Sequence, residues 1–248
     1  MGQVISHVVA VIPARWASTR FPGKPLAELA GEPMIAHVVR RALEAATVEH
    51  VIVATDDERI ARAAEAAGAE AVLTGDCPSG TDRVAAAVAG REEWDVVVNV
   101  QGDEPLLSGD NIDVLVRGLL AASDVSIATL CRPLEPERAD DPNAVKVVRD
   151  QRGRALYFSR SLIPFPREAA SAAALWRLHL GIYCFRRDAL AQFVSLAPSP
   201  LERAEALEQL RALENGISIL VLDAPHPAYG VDTPEDLLRV EEIMHKEK

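Results

Sequence analysis

The sequence predicts an α/β fold: a mostly parallel, Rossmann-like sheet with flanking helices, followed by a β-rich second half. Three observations carry this. Between residues 7 and 122, apolar runs of strand length alternate with helix-patterned stretches, the order that gives parallel strands covered on both faces through right-handed crossovers. After about residue 124 strand-like runs follow one another across short turns. The chain of 248 residues is 49% hydrophobic, enough for a full-sized core.

Each element has its own signal. Residues 7–14 are a continuous apolar run and read as a buried first strand. Residues 33–46 place Met34, Ile35, Val38, Val39 and Ala42 on one helical face. Residues 50–54 form a second strand. Thr55, Asp56 and Asp57 follow as capping residues for a helix over 58–67. A short strand at 70–73 precedes a helix over 81–89. The most apolar run, 95–100, is a fourth strand, and 110–122 a further helix. In the second half, 125–130, 144–149 and 154–158 read as strands, with a turn at 150–153. Residues 178–186 are a strand, 201–214 one helix, 217–222 a strand and 233–246 a closing helix. The Ser/Ala-rich run 169–174 reads as a mobile loop. No long linker or repeat interrupts the chain, so one domain over 1–248 is expected, with halves of about 1–123 and 124–248.

Net charge is −11, which argues against nucleic acid or an acidic membrane as partner and obliges any anionic ligand to find a local positive patch or a bridging metal. Three scattered cysteines, Cys77, Cys131 and Cys184, lack metal-ligand spacing and fit a reducing, cytoplasmic compartment. The opening residues lack a cationic leader and the apolar run is short, so neither signal peptide nor membrane insertion is expected.

The positive patch is IPARWASTRFPGKPL, residues 12–26. Its prolines forbid a helix, so Arg15, Ser18, Arg20 and Lys24 sit on a loop at the carboxyl end of the first strand, where open α/β sheets bind ligands. Cations and a hydroxyl there suit a polyanion such as a nucleoside triphosphate. NVQGDEP, 99–105, follows the most apolar strand and brings Asp103 to the same edge. A carboxylate beside a glycine there suits Mg²⁺, which takes one or two carboxylates plus phosphate oxygens. In YGVDTPEDL, 229–237, a proline at the first helical turn marks a helix start. Only one of Asp232 and Thr233 need be the cap, and the pairing with Asp103 favours Asp232 as a metal ligand. SGTDR, 79–83, either caps its own helix or presents backbone N–H groups to a base or ribose. In the second half, Arg160 ends a strand, and His179, Gly181 and Tyr183 share one strand face. Glu208 lies beside a core stripe of Ala204, Leu207 and Leu210. With Gln209, these groups read as a site for a polyhydroxylated acid; ordinary surface polarity, and a structural role for His179, are the other readings.

Taken together, these segments resemble the CMP-Kdo synthetases, the 3-deoxy-manno-octulosonate (Kdo) cytidylyltransferases. IPARWASTRFPGKPL, SGTDR, NVQGDEP, DPNAVKVV, ALYFSR, HLGIY, SPLERAEALEQLR and GVDTPEDL follow that family's order over nearly the whole chain. The first segment and QGDEP are common to sugar-activating cytidylyltransferases; ALYFSR, HLGIY and LEQLR point to Kdo. Asp82 stands where the family has glutamate, Trp16 and Phe21 replace other bulky residues, and Cys184 and Tyr229 replace small ones. The resemblance implies a nucleotide-diphospho-sugar transferase-like fold, a homodimer formed through the second half, and transfer of CMP from CTP to Kdo for lipopolysaccharide synthesis. It implies Arg15, Ser18, Arg20 and Lys24 on the triphosphate; Asp103 and Asp232 on Mg²⁺; Ala14, Ser79, Gly80, Thr81 and Arg83 around cytidine, with Gln101 between the substrates; and Gln101, Arg160, His179, Tyr183, Glu208 and Gln209 on Kdo. Lys24, Arg15, Asp103 and Asp232 are the expected catalytic set. Another acidic sugar such as sialic acid or amino-Kdo, a sugar-1-phosphate acceptor, or a non-catalytic nucleotide sensor are the alternatives.

Overall fold

The computed structural model describes residues 6–17, 21–167 and 175–246. The chain forms two compact units, the first made of Met1–Asp113 with His226–Lys248, the second of Val114–Pro225. The expected mobile loop at 169–174, and the loop residues Ser18 and Arg20, lie outside the described residues.

In the first unit, β1 (Val8–Ala14) is the buried centre. A hairpin of β2 (Glu28–Leu29) and β3 (Glu32–Pro33) follows, turned by Ala30 and Gly31 at φ 50 and 86°. Helix α1 (Met34–Leu43) buries the five predicted apolar residues but stops before residue 46, as the chain leaves to bring the Glu49 N–H onto the Val8 carbonyl, 3.0 Å. Strand β4 (His50–Thr55) pairs parallel with β1. Helix α2 (Glu58–Ala66) is capped by Asp57, whose carboxylate accepts the Arg59 N–H. Strand β5 (Glu70–Leu73) pairs parallel with β4. Helix α3 (Gly80–Ala87) leads to β6 (Val96–Asn99), which pairs parallel with the other side of β1. The chain thus steps outward from β1 through β4 to β5, then reverses to β6. That reversal makes the carboxyl end of β1 a topological switch point, where crevices form in open α/β sheets.

Helix α4 (Gly109–Ala121) carries the chain into the second unit. There β7 (Ile127–Pro133), β8 (Lys146–Arg149), β9 (Ala155–Ser159) and β10 (Arg177–Arg186) build the expected antiparallel pattern: β10 pairs with β7 and with β8, and β8 with β9. Helices α5 (Arg187–Ser195), α6 (Pro200–Glu205) and α7 (Gln209–Glu214) follow, then β11 (Ile219–Asp223), parallel to β7. Finally α8 (Pro234–Lys246) belongs to the first unit. Val231 and Val240 are buried there with Leu29, Met34 and Leu106. The two units therefore do not follow a division at residue 123: the last segment closes the first unit.

The single helix expected over 201–214 is two. Ser199 and Glu202 form a capping box at the start of α6, and Ala206 adopts a left-handed φ of 51° that ends it, with the Leu207 N–H reaching back to the Glu202 carbonyl at 3.2 Å. Two contacts hold the break: buried Arg211 donates to Glu202 at 2.8 Å, and half-buried Glu205 accepts the Ser159 hydroxyl at 2.6 Å. The predicted core stripe is corrected accordingly: Leu207 and Leu210 are buried and Ala204 is exposed. Because a left-handed residue costs alanine more than glycine, Ala206→Gly is expected to stabilise the protein by about 0.5–1 kcal/mol, read as a raised denaturation midpoint; a lowered midpoint would contradict it.

Candidate active site

One cavity of about 310 Å³ opens in the first unit at the switch point. It is lined by Pro13, Ala14 and Arg15 from the end of β1, and by Lys24 and Pro25. Cys77, Pro78, Ser79, Gly80 and Arg83 come from the start of α3, Gln101, Gly102 and Asp103 from the turn after β6, and Asp232 from the last segment. The approach of these segments is close. A Cβ on Gly102 would lie 2.8 Å from the Pro13 carbonyl oxygen, so only glycine lets the QGD turn lie against β1.

Lys24 is the centre of the acidic side. Its ammonium donates to Asp103 Oδ2 at 2.6 Å and to the Val231 carbonyl at 2.8 Å, and lies 3.5 Å from Asp232 Oδ1. The Val231 N–H in turn donates to the Asp103 carbonyl at 2.8 Å. Val231 is therefore fastened on both sides, which brings Asp232 to Asp103 across 129 positions of sequence. The helix start is satisfied without the Asp232 carboxylate: the Thr233 hydroxyl accepts the Asp236 N–H, and Asp236 accepts the N–H groups of Asp232 and Thr233. Of the two readings of Asp232, the cap belongs to Thr233.

The neighbouring Glu104 is pushed up to about 8, by burial first and by the Asp103 charge second, and its Oε2 is buried without a hydrogen-bond partner. Near pH 7 this carboxyl is mostly protonated, and the turn presents one negative charge rather than two. Among the described residues no group of three or more His, Cys, Asp or Glu is placed to hold a metal. Two carboxylates that share one cation suit Mg²⁺, which keeps water and phosphate oxygens for its other positions. The Lys24 ammonium already stands in for such a cation.

On the other side, Ser79 caps α3, its hydroxyl accepting the Asp82 N–H at 3.2 Å and donating to Asp82 Oδ2 at 2.7 Å. Gly80 faces the cavity, whereas Thr81 turns inward: it is buried, with its hydroxyl 3.4 Å from the Asn99 amide nitrogen, and does not line the cavity. One helical step of about 100° separates the two. Arg83 is buried, donating to the Thr74 hydroxyl and, at 3.1 Å, to Asp56.

Asp56 was legible only as a helix cap. It also accepts the Trp16 N–H at 3.1 Å. Its place directly after β4, at the same carboxyl edge as the cavity, is the signal by which a further role could have been found.

The second unit gathers His179 and Tyr183 on one face of β10, with ring centroids 5.5 Å apart. A bulge between Leu180 and Tyr183 is bridged by the Thr129 hydroxyl, which donates to the Ile182 carbonyl at 2.8 Å. That hydroxyl has one proton, so at 2.9 Å it accepts from His179 Nε2 and leaves Nδ1 as an acceptor. Burial holds the His179 ring down at about 3, so it is neutral. Burial, then the Glu208 charge, raises the Tyr183 hydroxyl, so it stays protonated. Gln209 is buried at the start of α7. The Arg160 guanidinium also has structural partners: it donates to the carbonyls of Pro142, Glu205 and Ala206 at 2.9, 2.7 and 3.2 Å, so three of its five N–H groups are engaged, two of them at the α6–α7 break and one at the turn before β8.

A switch-point crevice with three cations, a glycine-start helix and two carboxylates on one ammonium defines a nucleotide-handling α/β transferase. The cytidylyltransferase family model matches residues 9–219. A 3-deoxy-manno-octulosonate cytidylyltransferase of Anaeromyxobacter sp. (strain Fw109-5) is 54% identical over 96% of this chain and 97% of its own. One from Anaeromyxobacter dehalogenans (strain 2CP-C) is 51% identical over 96% and 98%. Among solved structures, CMP:2-keto-3-deoxy-manno-octonic acid synthetase complexed with CTP superposes with a TM-score of 0.92 at 44% identity, over 98% of this chain and 100% of that one. The chain belongs to the cytidylyltransferase family and, within it, to the 3-deoxy-manno-octulosonate cytidylyltransferases.

Proposed function

We propose that the chain transfers CMP from CTP to the anomeric hydroxyl of Kdo, giving CMP-Kdo and pyrophosphate. The observation that carries this is the Lys24 ammonium between Asp103 and Asp232 in a cavity that also holds Arg15, Gly80 and Arg83. In-line attack on the α-phosphorus needs charge neutralisation more than covalent help from the protein. Lys24, Arg15 and Arg20 neutralise the triphosphate and the departing pyrophosphate, and the Ser18 hydroxyl donates a hydrogen bond to it. Asp103 and Asp232 hold Mg²⁺, which when bound supplies Lewis-acid stabilisation of phosphate charge. Ala14, Ser79, Gly80 and Arg83 receive the cytidine, and Gln101 stands with both substrates.

For the sugar, the neutral His179 Nδ1 is an acceptor and the Tyr183 hydroxyl a donor, a combination suited to a polyol. Glu208 and Gln209 add to it, and Arg160 keeps the carboxylate role alongside its structural one. The bound hydroxyl, rather than a protein side chain, is the nucleophile. A homodimer through the second half is part of this reading, supported by the exposed Leu156 and Phe165. A cytoplasmic setting is supported by the free state of all three cysteines. No helix among the described residues is long and apolar enough to cross a membrane.

The test is pyrophosphate release with CTP, UTP, ATP and GTP against Kdo, amino-Kdo and sialic acid. CTP with Kdo is expected to be fastest, and UTP at least about 10²-fold slower, because each buried polar group that the wrong base leaves unpaired costs about 1–3 kcal/mol. Equal rates with UTP would remove the cytidylyl assignment, and a faster rate with sialic acid would move the sugar assignment.

A further inference from the structure

We propose that Asp56 is a positioning residue for nucleotide binding, holding the backbone of the triphosphate loop with one carboxylate oxygen and the guanidinium of the cavity wall with the other. Oδ1 accepts the Trp16 N–H and Oδ2 accepts Arg83 Nη2, both at 3.1 Å. The inference rests on the reading of this cavity as the CTP site and adds a residue to it.

The helix start does not need Asp56. Asp57 caps α2 and also grips Arg59 with both oxygens, at 3.0 and 2.6 Å. The Asp56 carboxylate is thus committed to the loop and to Arg83. What it fixes is wider than one N–H. Trp16 follows Arg15, a cavity residue. The Arg59 guanidinium lies over the Trp16 ring, 3.6 Å from its centroid. A Cβ on Gly23, at a φ of 71°, would lie 2.7 Å from that ring, and the Gly23 N–H donates to the Trp16 carbonyl at 3.1 Å. Lys24 comes next. A shift at Trp16 therefore passes to Arg15 on one side and through Gly23 to Lys24 on the other. Arg83, the second load on Asp56, is also tied through Thr74 to the Thr55 carbonyl, one residue before Asp56.

Asp56 does not line the cavity itself. A carboxylate near a polyanion site repels the ligand, and here the charge is met by buried Arg83. Removing it releases the loop backbone and leaves that guanidinium buried and short of one partner, a charge-assisted bond of the kind that changes affinity about 10- to 100-fold.

The experiment is calorimetric titration of the full chain with CTP and Mg²⁺, beside steady-state kinetics and thermal melting. Asp56→Ala is expected to bind CTP about 10- to 100-fold more weakly, with KM for Kdo within about twofold of wild type. A residue that merely stabilised the fold would lower Tm and leave the ratio of the two KM values unchanged. Asp56→Asn keeps an acceptor for Trp16 but turns an N–H₂ donor toward Arg83, and is expected to fall in between. A folded Asp56→Ala with wild-type CTP affinity overturns the proposal; should that variant not fold, wild-type affinity in Asp56→Asn overturns it. The binding measurement uses no sugar, so a wrong sugar assignment does not touch it, whereas wild-type protein that fails to bind CTP overturns both readings.

Discussion

Asp232→Asn is expected to lower the rate of pyrophosphate release by about 10²-fold or more while leaving the fold almost as stable as before. Asparagine caps helices as well as aspartate does, and here the cap is supplied by Thr233 with Asp236, to which Asp232 lends its backbone N–H. Its carboxylate is half exposed and 3.5 Å from Lys24, a pair of the kind worth little to stability. The change in Tm should therefore stay within about 1–2 °C, the shift of about 0.5 kcal/mol in a domain of this size. Activity is another matter: on the proposed reading one of the two carboxylates that face a shared cation becomes neutral, and a metal held by the pair would lose half of its anchoring charge. Excess Mg²⁺ should restore part of the rate. Initial rates across a Mg²⁺ series, beside a thermal melt, decide it. Normal activity at low Mg²⁺ would reduce Asp232 to a counter-ion of Lys24.

That expectation was within reach of the sequence only in part. Strands β1, β4 and β6 were legible because a strand buried on both faces is a run of valine and isoleucine with few competing readings. The start of α2 was legible because capping chemistry is local. The hairpin of β2 and β3 was not, because Ala30 takes a position where Asn or Gly is the usual mark of such a turn. Helix α5 escaped because Ala189, Leu190 and Phe193 are its only buried residues, too few to show a period. The break at Ala206 escaped for the opposite reason: the apolar spacing runs on through it, and what stops the helix is Glu205 bonding Ser159 and the Arg160 N–H, partners distant in sequence.

The same division holds at the site. Charge and turn chemistry marked Lys24, Asp103 and Asp232 as candidates, since each stands in a short turn that carries a glycine and a proline. How they meet was not written locally. It depends on Val231, an apolar residue whose two backbone groups bond Asp103 and Lys24. Arg160 was given a ligand by its charge, and the structure adds three carbonyls to it. A guanidinium with five donors can do both, and nothing in the sequence shows how many of those donors the fold uses first.

Lys24→Ala is expected to cost about 10²-fold or more in rate, the order seen when one group that stabilises transition-state charge is removed. Unlike Asp232→Asn it should also cost some stability. Lys24 is 13% exposed at its side chain, and its removal strips a donor from Asp103 and from the Val231 carbonyl. Water in the open cavity can take over part of that work, so the loss should be about 1–2 kcal/mol, a few degrees in Tm. Lys24→Arg is expected to rescue little, since a planar fork cannot replace a compact ammonium that meets a carboxylate, a carbonyl and a second carboxylate from one point. A second measurement separates the two tasks of this lysine. Its ammonium lies against the two carboxylates to which a divalent cation would be drawn, so the alanine variant should bind Mn²⁺ more tightly than wild type when no CTP is added, even as it turns over CTP more slowly. Electron paramagnetic resonance titration of free Mn²⁺ reads the first and pyrophosphate release the second. Full turnover in a folded Lys24→Ala would show that the ammonium only neutralises the two aspartates, and unchanged Mn²⁺ affinity would show that it does not compete for them.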